Sequence, residues 1–141
     1  LGGLAFSNAS ICLVHGMSRP LGSNFKVPHG LSNAMLLPTI TEFSIDHAKE
    51  KYADCSRAGK FALPEDDNET ACKKLIKGLY QINKDFEVPS MELFGIKQKN
   101  FEAELENMAS DAEISGAPSL NPRVPSVNEM IDLYGKAWRA F

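Results

Sequence analysis

Between residues 3 and 17 the chain reads GLAFSNASICLVHGM, apolar on nearly every face and interspersed with small residues that let neighbouring helices approach closely. That pattern predicts a helix in the centre of a bundle. A buried strand would give a similar short apolar run, but the length favours helix. Pro20 and Gly22 are expected to end it. From residue 29 or 30 the positions Leu31, Ala34, Met35 and Leu37 repeat at helical spacing, and Pro38 should bend or stop that helix. Residues 41 to 57 continue helically through Phe43, Ile45, Ala48, Tyr52 and Cys55 until Gly59.

After the loop AGKFALPEDDNE, in which Asp66, Asp67 and Glu69 load a first helical turn with acid, Ala71, Leu75, Ile76, Leu79, Tyr80 and Ile82 define a strongly amphipathic helix. Its wet side holds Lys73, Lys74 and Lys77. VPSMELFG, residues 88 to 95, is a connection to a helix near 98 to 112 built on Phe101, Leu105, Met108 and Ala112. A proline-rich loop follows, and Ser126 with Glu129 has capping-box spacing for a last helix containing Met130, Ile131, Leu133, Tyr134, Ala137 and Trp138. Strand-like alternation is sustained nowhere. The fold class expected is therefore all-α, a helical bundle of about five to seven helices.

Size and charge sharpen this picture. At 141 residues and 15.5 kDa the chain is long enough to bury one real core. The net charge is −3, and the 15 basic residues are scattered, which offers no surface for nucleic acid or for an anionic membrane. No apolar run reaches the roughly 18 residues needed to span a bilayer. Three cysteines, Cys12, Cys55 and Cys72, without paired spacing, point to reduced thiols and a cytoplasmic protein. The chain opens on an apolar segment with no initiator Met, as a piece of a longer polypeptide would.

Candidate chemistry concentrates in residues 12 to 37, which contain His15 and His29, two of the three histidines. Neutral imidazole ligates metals, and its second nitrogen can be held by a neighbouring group. The intervening RPLGSNFKVPHG could fold back and bring the two rings together. Without carboxylate neighbours such a pair is more often simply packed or hydrogen-bonded. His47, beside Asp46 and Glu50, reads as a solvated surface residue, and Cys12 as core.

The run GLAFSNASICLVHGMSRPLGSNFKVPHGLSNAMLLP resembles the signature region of the iron-dependent (group III) alcohol dehydrogenases, with its His-Gly-Met step, Pro-Leu-Gly turn and Pro-His-Gly-x-x-Asn-Ala-x-Leu-Leu-Pro helix. The segments LFGI, LENMASDA and NPRVPSVNEMIDLY are similar to that family's C-terminal half, so the resemblance covers essentially the whole chain. It implies the C-terminal helical domain of a dehydroquinate synthase-like, two-domain fold, whose N-terminal α/β domain binds NAD or NADP and is absent from these residues. It further implies that His15 and His29 are two of four protein ligands to Fe(II) or Zn in the cleft between the domains. The other two, an Asp and a His, lie upstream in the family.

The substrate implied is a small alcohol or aldehyde, in a cytoplasmic and homo-oligomeric enzyme, with a transhydrogenase or polyol-specific relative as a variant. By the same resemblance Phe6 lines the nicotinamide and substrate pocket, although a core role suits an aromatic there equally. In much of the family a second histidine stands four residues after the first ligand; here that position is Arg19, which donates hydrogen bonds but cannot relay a proton. Arg19 could grip a carboxylate or phosphate on the substrate or the cofactor's pyrophosphate, or merely cap a helix C-terminus. The competing expectation is a helical interaction or assembly domain that keeps the scaffold without the redox chemistry.

Overall fold

Ser10 breaks the first apolar run. In the computed structural model, which describes residues 2–140 but not the side chains at 5, 6 and 9, Ser10 has φ 62, in the left-handed region, and Cys12 is extended. The single expected helix is therefore two, α1 (Gly2–Ala9) and α2 (Leu13–Phe25). Serine and asparagine hydrogen-bond nearby backbone in non-helical geometry, and the 7 to 10 segment Ser-Asn-Ala-Ser is rich in both. Only α2 is central. In α1 Leu4 is 67% exposed, and Gly3, Ser7 and Asn8 also face outward.

Neither proline stops its helix. α2 continues past Pro20 to Phe25, and α3 (His29–Ser44) continues past Pro38. A proline removes one amide donor and leaves the carbonyl four residues earlier without its helical partner. For Pro38 that carbonyl belongs to Ala34, and it accepts instead from the buried Asn83 side chain at 2.7 Å. Beside Pro20, Tyr134 donates to the Met17 carbonyl at 2.6 Å. The Asn83 substitute comes from a distant helix, so Pro38 is tolerated through tertiary packing, whereas the Tyr134 bond goes to the carbonyl next to that of Gly16, the one Pro20 leaves without a helical donor.

A 3-10 turn at Ile45–His47 and a non-helical Ala48 interrupt the expected continuous helix through residues 41 to 57, and α4 (Lys49–Ala58) follows, ending at Gly59. α5 (Asn68–Asp85) is capped by Asp67, which accepts from the Thr70 amide at 2.8 Å. Asp66 lies outside the helix, taking the Leu63 amide and pairing with Lys74. α6 (Gln98–Ile114), a short 3-10 helix (Ala117–Leu120) and α7 (Val127–Arg139) complete the chain, and the Ser126–Glu129 capping box is formed as the spacing predicts. The described residues contain seven α-helices and no strand, an all-α bundle.

α2, α3, α6 and α7 enclose the main core of Leu13, Met17, Leu21, Met35, Leu36, Phe101, Met108, Met130 and Tyr134. Phe101 stacks near Trp138, with centroids 4.6 Å apart, and meets Tyr134 edge-on at 85°. α4 and α5 pair as a second lobe over a smaller core of Ile45, Ala53, Ala62, Ala71 and Cys72. α3 joins the two, with Asn83 of α5 bonded to it.

Candidate metal centre

His15 sits in the first turn of α2 and His29 is the first residue of α3. Their proximity follows from a sharp reversal. Lys26, with φ 60, ends α2 and donates its amide to the Gly22 carbonyl; Pro28 is extended, and the short segment between helices runs back along α2. His29 thereby draws level with Ser18 and His15, contacts that span 11 and 14 residues of sequence. The expected linker is thus mostly helix, but it does bring the rings together.

The facing nitrogens, His15 Nδ1 and His29 Nε2, are 3.1 Å apart, and the ring centroids 5.0 Å. His29 is exposed and His15 half-buried. Behind them, Ser18 is fully buried; its hydroxyl donates to the His15 carbonyl at 3.2 Å and lies 3.4 Å from His29 Nδ1. With the hydroxyl proton so committed, Ser18 Oγ accepts from His29 Nδ1–H, which leaves the Nε2 lone pair facing His15. The Asn33 amide nitrogen lies 3.3 Å from the same Nε2, one helical turn along α3. Its Oδ1 is buried without a hydrogen-bond partner among the described residues. Burial, then the charges of His29 and Arg19, hold the His15 pKa below the ordinary histidine value. Neutral imidazole is the form that ligates a metal.

Gly16 sets the close approach behind His15. A Cβ at this position would stand 3.1 Å from Pro118 Cδ and 3.3 Å from Ala117 Cβ, so α2 meets the 3-10 helix at a distance that a bare backbone permits. The start of α2 is held there, with the Cys12 carbonyl accepting the His15 and Gly16 amides.

Arg19 is exposed and lies one turn beyond His15, in mid-helix. The C-cap of α2 is Lys26, so Arg19 does not cap it. The Phe6 side chain lies outside the described residues. His47 is exposed, and neighbouring Asp46 pairs with Lys49 at 3.5 Å. Among the described residues no group of three or more His, Cys, Asp or Glu side chains is placed to hold a metal. The histidine pair therefore stands without a third such side chain beside it among the described residues. Ser18 and Asn33 escape a search for ligands because neither is one; their signal was spacing, three residues after His15 and four after His29.

Residues 1–138 match the Fe-containing alcohol dehydrogenase family, C-terminal. The chain belongs to the Fe-containing alcohol dehydrogenase family. Lactaldehyde reductase of Escherichia coli (strain K12) is 32% identical over 137 residues, which are 96% of this chain and 35% of that protein. Alcohol dehydrogenase 4 of Saccharomyces cerevisiae (strain ATCC 204508 / S288c) is 34% identical over 113 residues, 79% of this chain and 28% of that one. The crystal structure of a 1,3-propanediol oxidoreductase superposes with a TM-score of 0.87 at 29% identity, covering 96% of this chain and 35% of its own. An iron-containing alcohol dehydrogenase from Thermococcus thioreducens gives 0.83 at 33% identity, over 97% and 34%. The chain spans about a third of the length of these Fe-containing alcohol dehydrogenase relatives.

Proposed function

We propose that this chain is the helical, metal-binding part of an NAD(P)-dependent alcohol dehydrogenase that interconverts a small primary alcohol and its aldehyde. The observation that carries the proposal is the His15–His29 nitrogen separation of 3.1 Å. Two imidazole nitrogens each bound at about 2.0–2.1 Å, at angles between right and tetrahedral, lie roughly 2.9–3.4 Å apart, so the pair fits Fe(II) or Zn with little movement. His15 and His29 would be two of four protein ligands. The remaining two, an Asp and a His, would come from the N-terminal NAD(P)-binding α/β domain that the family resemblance implies, in a cytoplasmic homo-oligomer.

The bound metal would supply a Lewis acid for the substrate oxygen. This chain's residues would orient it. Ser18 holds the His29 ring with Nε2 outward, and Gly16 and the Cys12 carbonyl fix the turn that presents His15. In aldehyde reduction the carbonyl carbon takes a hydride from the reduced nicotinamide and the oxygen takes a proton; oxidation is the reverse. Arg19 offers no proton-accepting nitrogen, so the proton must move through another group, and its own role is to bind. Phe6, in α1, would border the nicotinamide by the same resemblance.

The test is an assay of the complete polypeptide with Fe(II) or Zn and NAD(H) or NADP(H) over a panel of alcohols and aldehydes, together with calorimetric titration of the metal. His15→Ala and His29→Ala should each abolish metal-dependent turnover and weaken metal binding. Wild-type activity and affinity in both variants would dismiss the ligand assignment. Stoichiometric metal binding without turnover would favour the scaffold-only reading.

A further inference from the structure

Arg19 is a cation without a structural task. It stands in the middle of α2, six residues before the C-terminal residue Phe25, and no hydrogen bond or ion pair engages it among the described residues. Arg57 and Arg123 are employed quite differently. Arg57 reaches Asp54, the Asp66 carbonyl and Asn68, and Arg123 bonds Glu129 and lies 4.0 Å from the centre of the Phe43 ring. Arg19 is also uncompensated locally, since no acidic residue precedes Glu42 in the chain.

Its position gives this isolated charge a direction. Residues four apart on a helix present their side chains on one face, roughly 5–6 Å between Cβ atoms. Arg19 therefore stands on the face of α2 that carries His15, and its field reaches the His15 ring. A guanidinium beside a divalent cation is repelled by it, at a distance where such terms matter. An anion lying between them relieves that repulsion. The planar fork of arginine matches a carboxylate, sulfonate or phosphonate through two parallel hydrogen bonds.

Resting on the metal-site reading above, we infer that Arg19 anchors an anionic group on the substrate, so that the preferred substrate is a short aldehyde or alcohol bearing an acid group near the far end of its carbon chain. The span from the histidine pair to one helical turn away suits about two or three carbons between the reacting carbon and the acid. The hydride and proton transfers are unchanged. The guanidinium acts on binding, by positioning the charged end while the reacting oxygen lies at the histidines.

The test compares succinic semialdehyde with butanal, an acid and a neutral aldehyde of equal chain length, in the complete metal-loaded protein. Wild type should prefer the semialdehyde. Arg19→Met should lower the ratio of the two kcat/KM values about 10-fold to 100-fold, the range expected for losing a hydrogen-bonded charge partner, chiefly through the KM of the semialdehyde. Arg19→Lys should retain part of the preference. An unchanged ratio in Arg19→Met would overturn the inference. So would an equal loss for both aldehydes with a raised KM for the nicotinamide cofactor, which would place the guanidinium on the cofactor.

A calorimetric arm separates this inference from the redox proposal. Succinate and succinamide are titrated into wild type and Arg19→Met, whether or not either aldehyde is turned over. Preference for succinate that vanishes in Arg19→Met supports the anchor even if the dehydrogenase activity fails. Equal binding of the two ligands to wild type overturns the anchor even if the activity stands.

Discussion

Ser18 shows how one buried hydroxyl can decide what a histidine offers. Its proton goes to the His15 carbonyl and its lone pairs to His29 Nδ1, so the outward Nε2 is the nitrogen that the proposed metal would take. Groups that orient a metal-binding imidazole typically affect affinity by about 10-fold to 100-fold. Ser18→Ala should weaken Zn binding to the complete protein by that amount, measured by competition with a chromophoric chelator. Unchanged affinity would mean that the start of α3 alone orients the ring. Asn33 makes the complementary point. Its amide nitrogen faces the same Nε2 at 3.3 Å while its Oδ1 is buried without a partner, so a metal that takes the lone pair must turn this amide aside.

At the scale of elements, long-range contacts decide what periodicity leaves open. Asn83 takes the Ala34 carbonyl that Pro38 leaves without a helical donor, across 49 residues of sequence. Asn83→Ala would leave that carbonyl unpaired, and denaturant unfolding should register a loss of about 1–3 kcal/mol. In a Pro38→Ala background the helix regains its own donor, so the same substitution should cost less. The α7 capping box is local by comparison. Ser126→Ala should cost about 1 kcal/mol. Hydrogen bonds from the Ser126 amide and hydroxyl, and then Arg123, hold the Glu129 carboxyl below its ordinary pKa. A carboxyl with a depressed folded-state pKa stabilises the fold above its unfolded value near 4.5 and loses that contribution as the pH falls through the folded value. Thermal unfolding of wild type and Glu129→Gln should therefore converge in acid and diverge at neutral pH.

These elements also mark what the sequence made legible. α5, α6 and α7 were readable because apolar spacing marks each of them, joined by an acidic cap at α5 and a capping box at α7. The break at Ser10 was not, because an all-round apolar run has no phase to lose. The through-running of Pro38 depended on Asn83, whose position no local pattern supplies. Within the site, the family resemblance singled out His15 and His29, and the reversal at Lys26 is what made them adjacent. Arg19 was open between a capping role and ligand binding, and the continuation of α2 past it removes the capping role alone.

For the whole molecule, the division into two cores predicts that it does not open as one unit. The main core holds large side chains from four helices, whereas the α4–α5 lobe is built mostly on Ala53, Ala62, Ala71 and Cys72, with Ile45 at its edge. Small side chains bury less apolar surface, so the lobe should separate at a lower free energy than global unfolding. Phe61 limits how far it can tighten. Its ring lies against Gly78, where a Cβ would stand 2.1 Å from Phe61 Cδ1, so Gly78→Ala must displace the ring from the lobe. Cys72, 3% exposed and donating to the Lys49 carbonyl, reports that opening as a thiol. In a Cys12→Ser, Cys55→Ser background, Cys72 should react with a thiol reagent faster than the protein unfolds globally and with a weaker dependence on denaturant. Gly78→Ala and Asn83→Ala should both speed that reaction, about 10-fold for each 1.4 kcal/mol lost locally, if closing outpaces labelling. Identical denaturant slopes for labelling and for global unfolding would instead make the two cores a single cooperative unit.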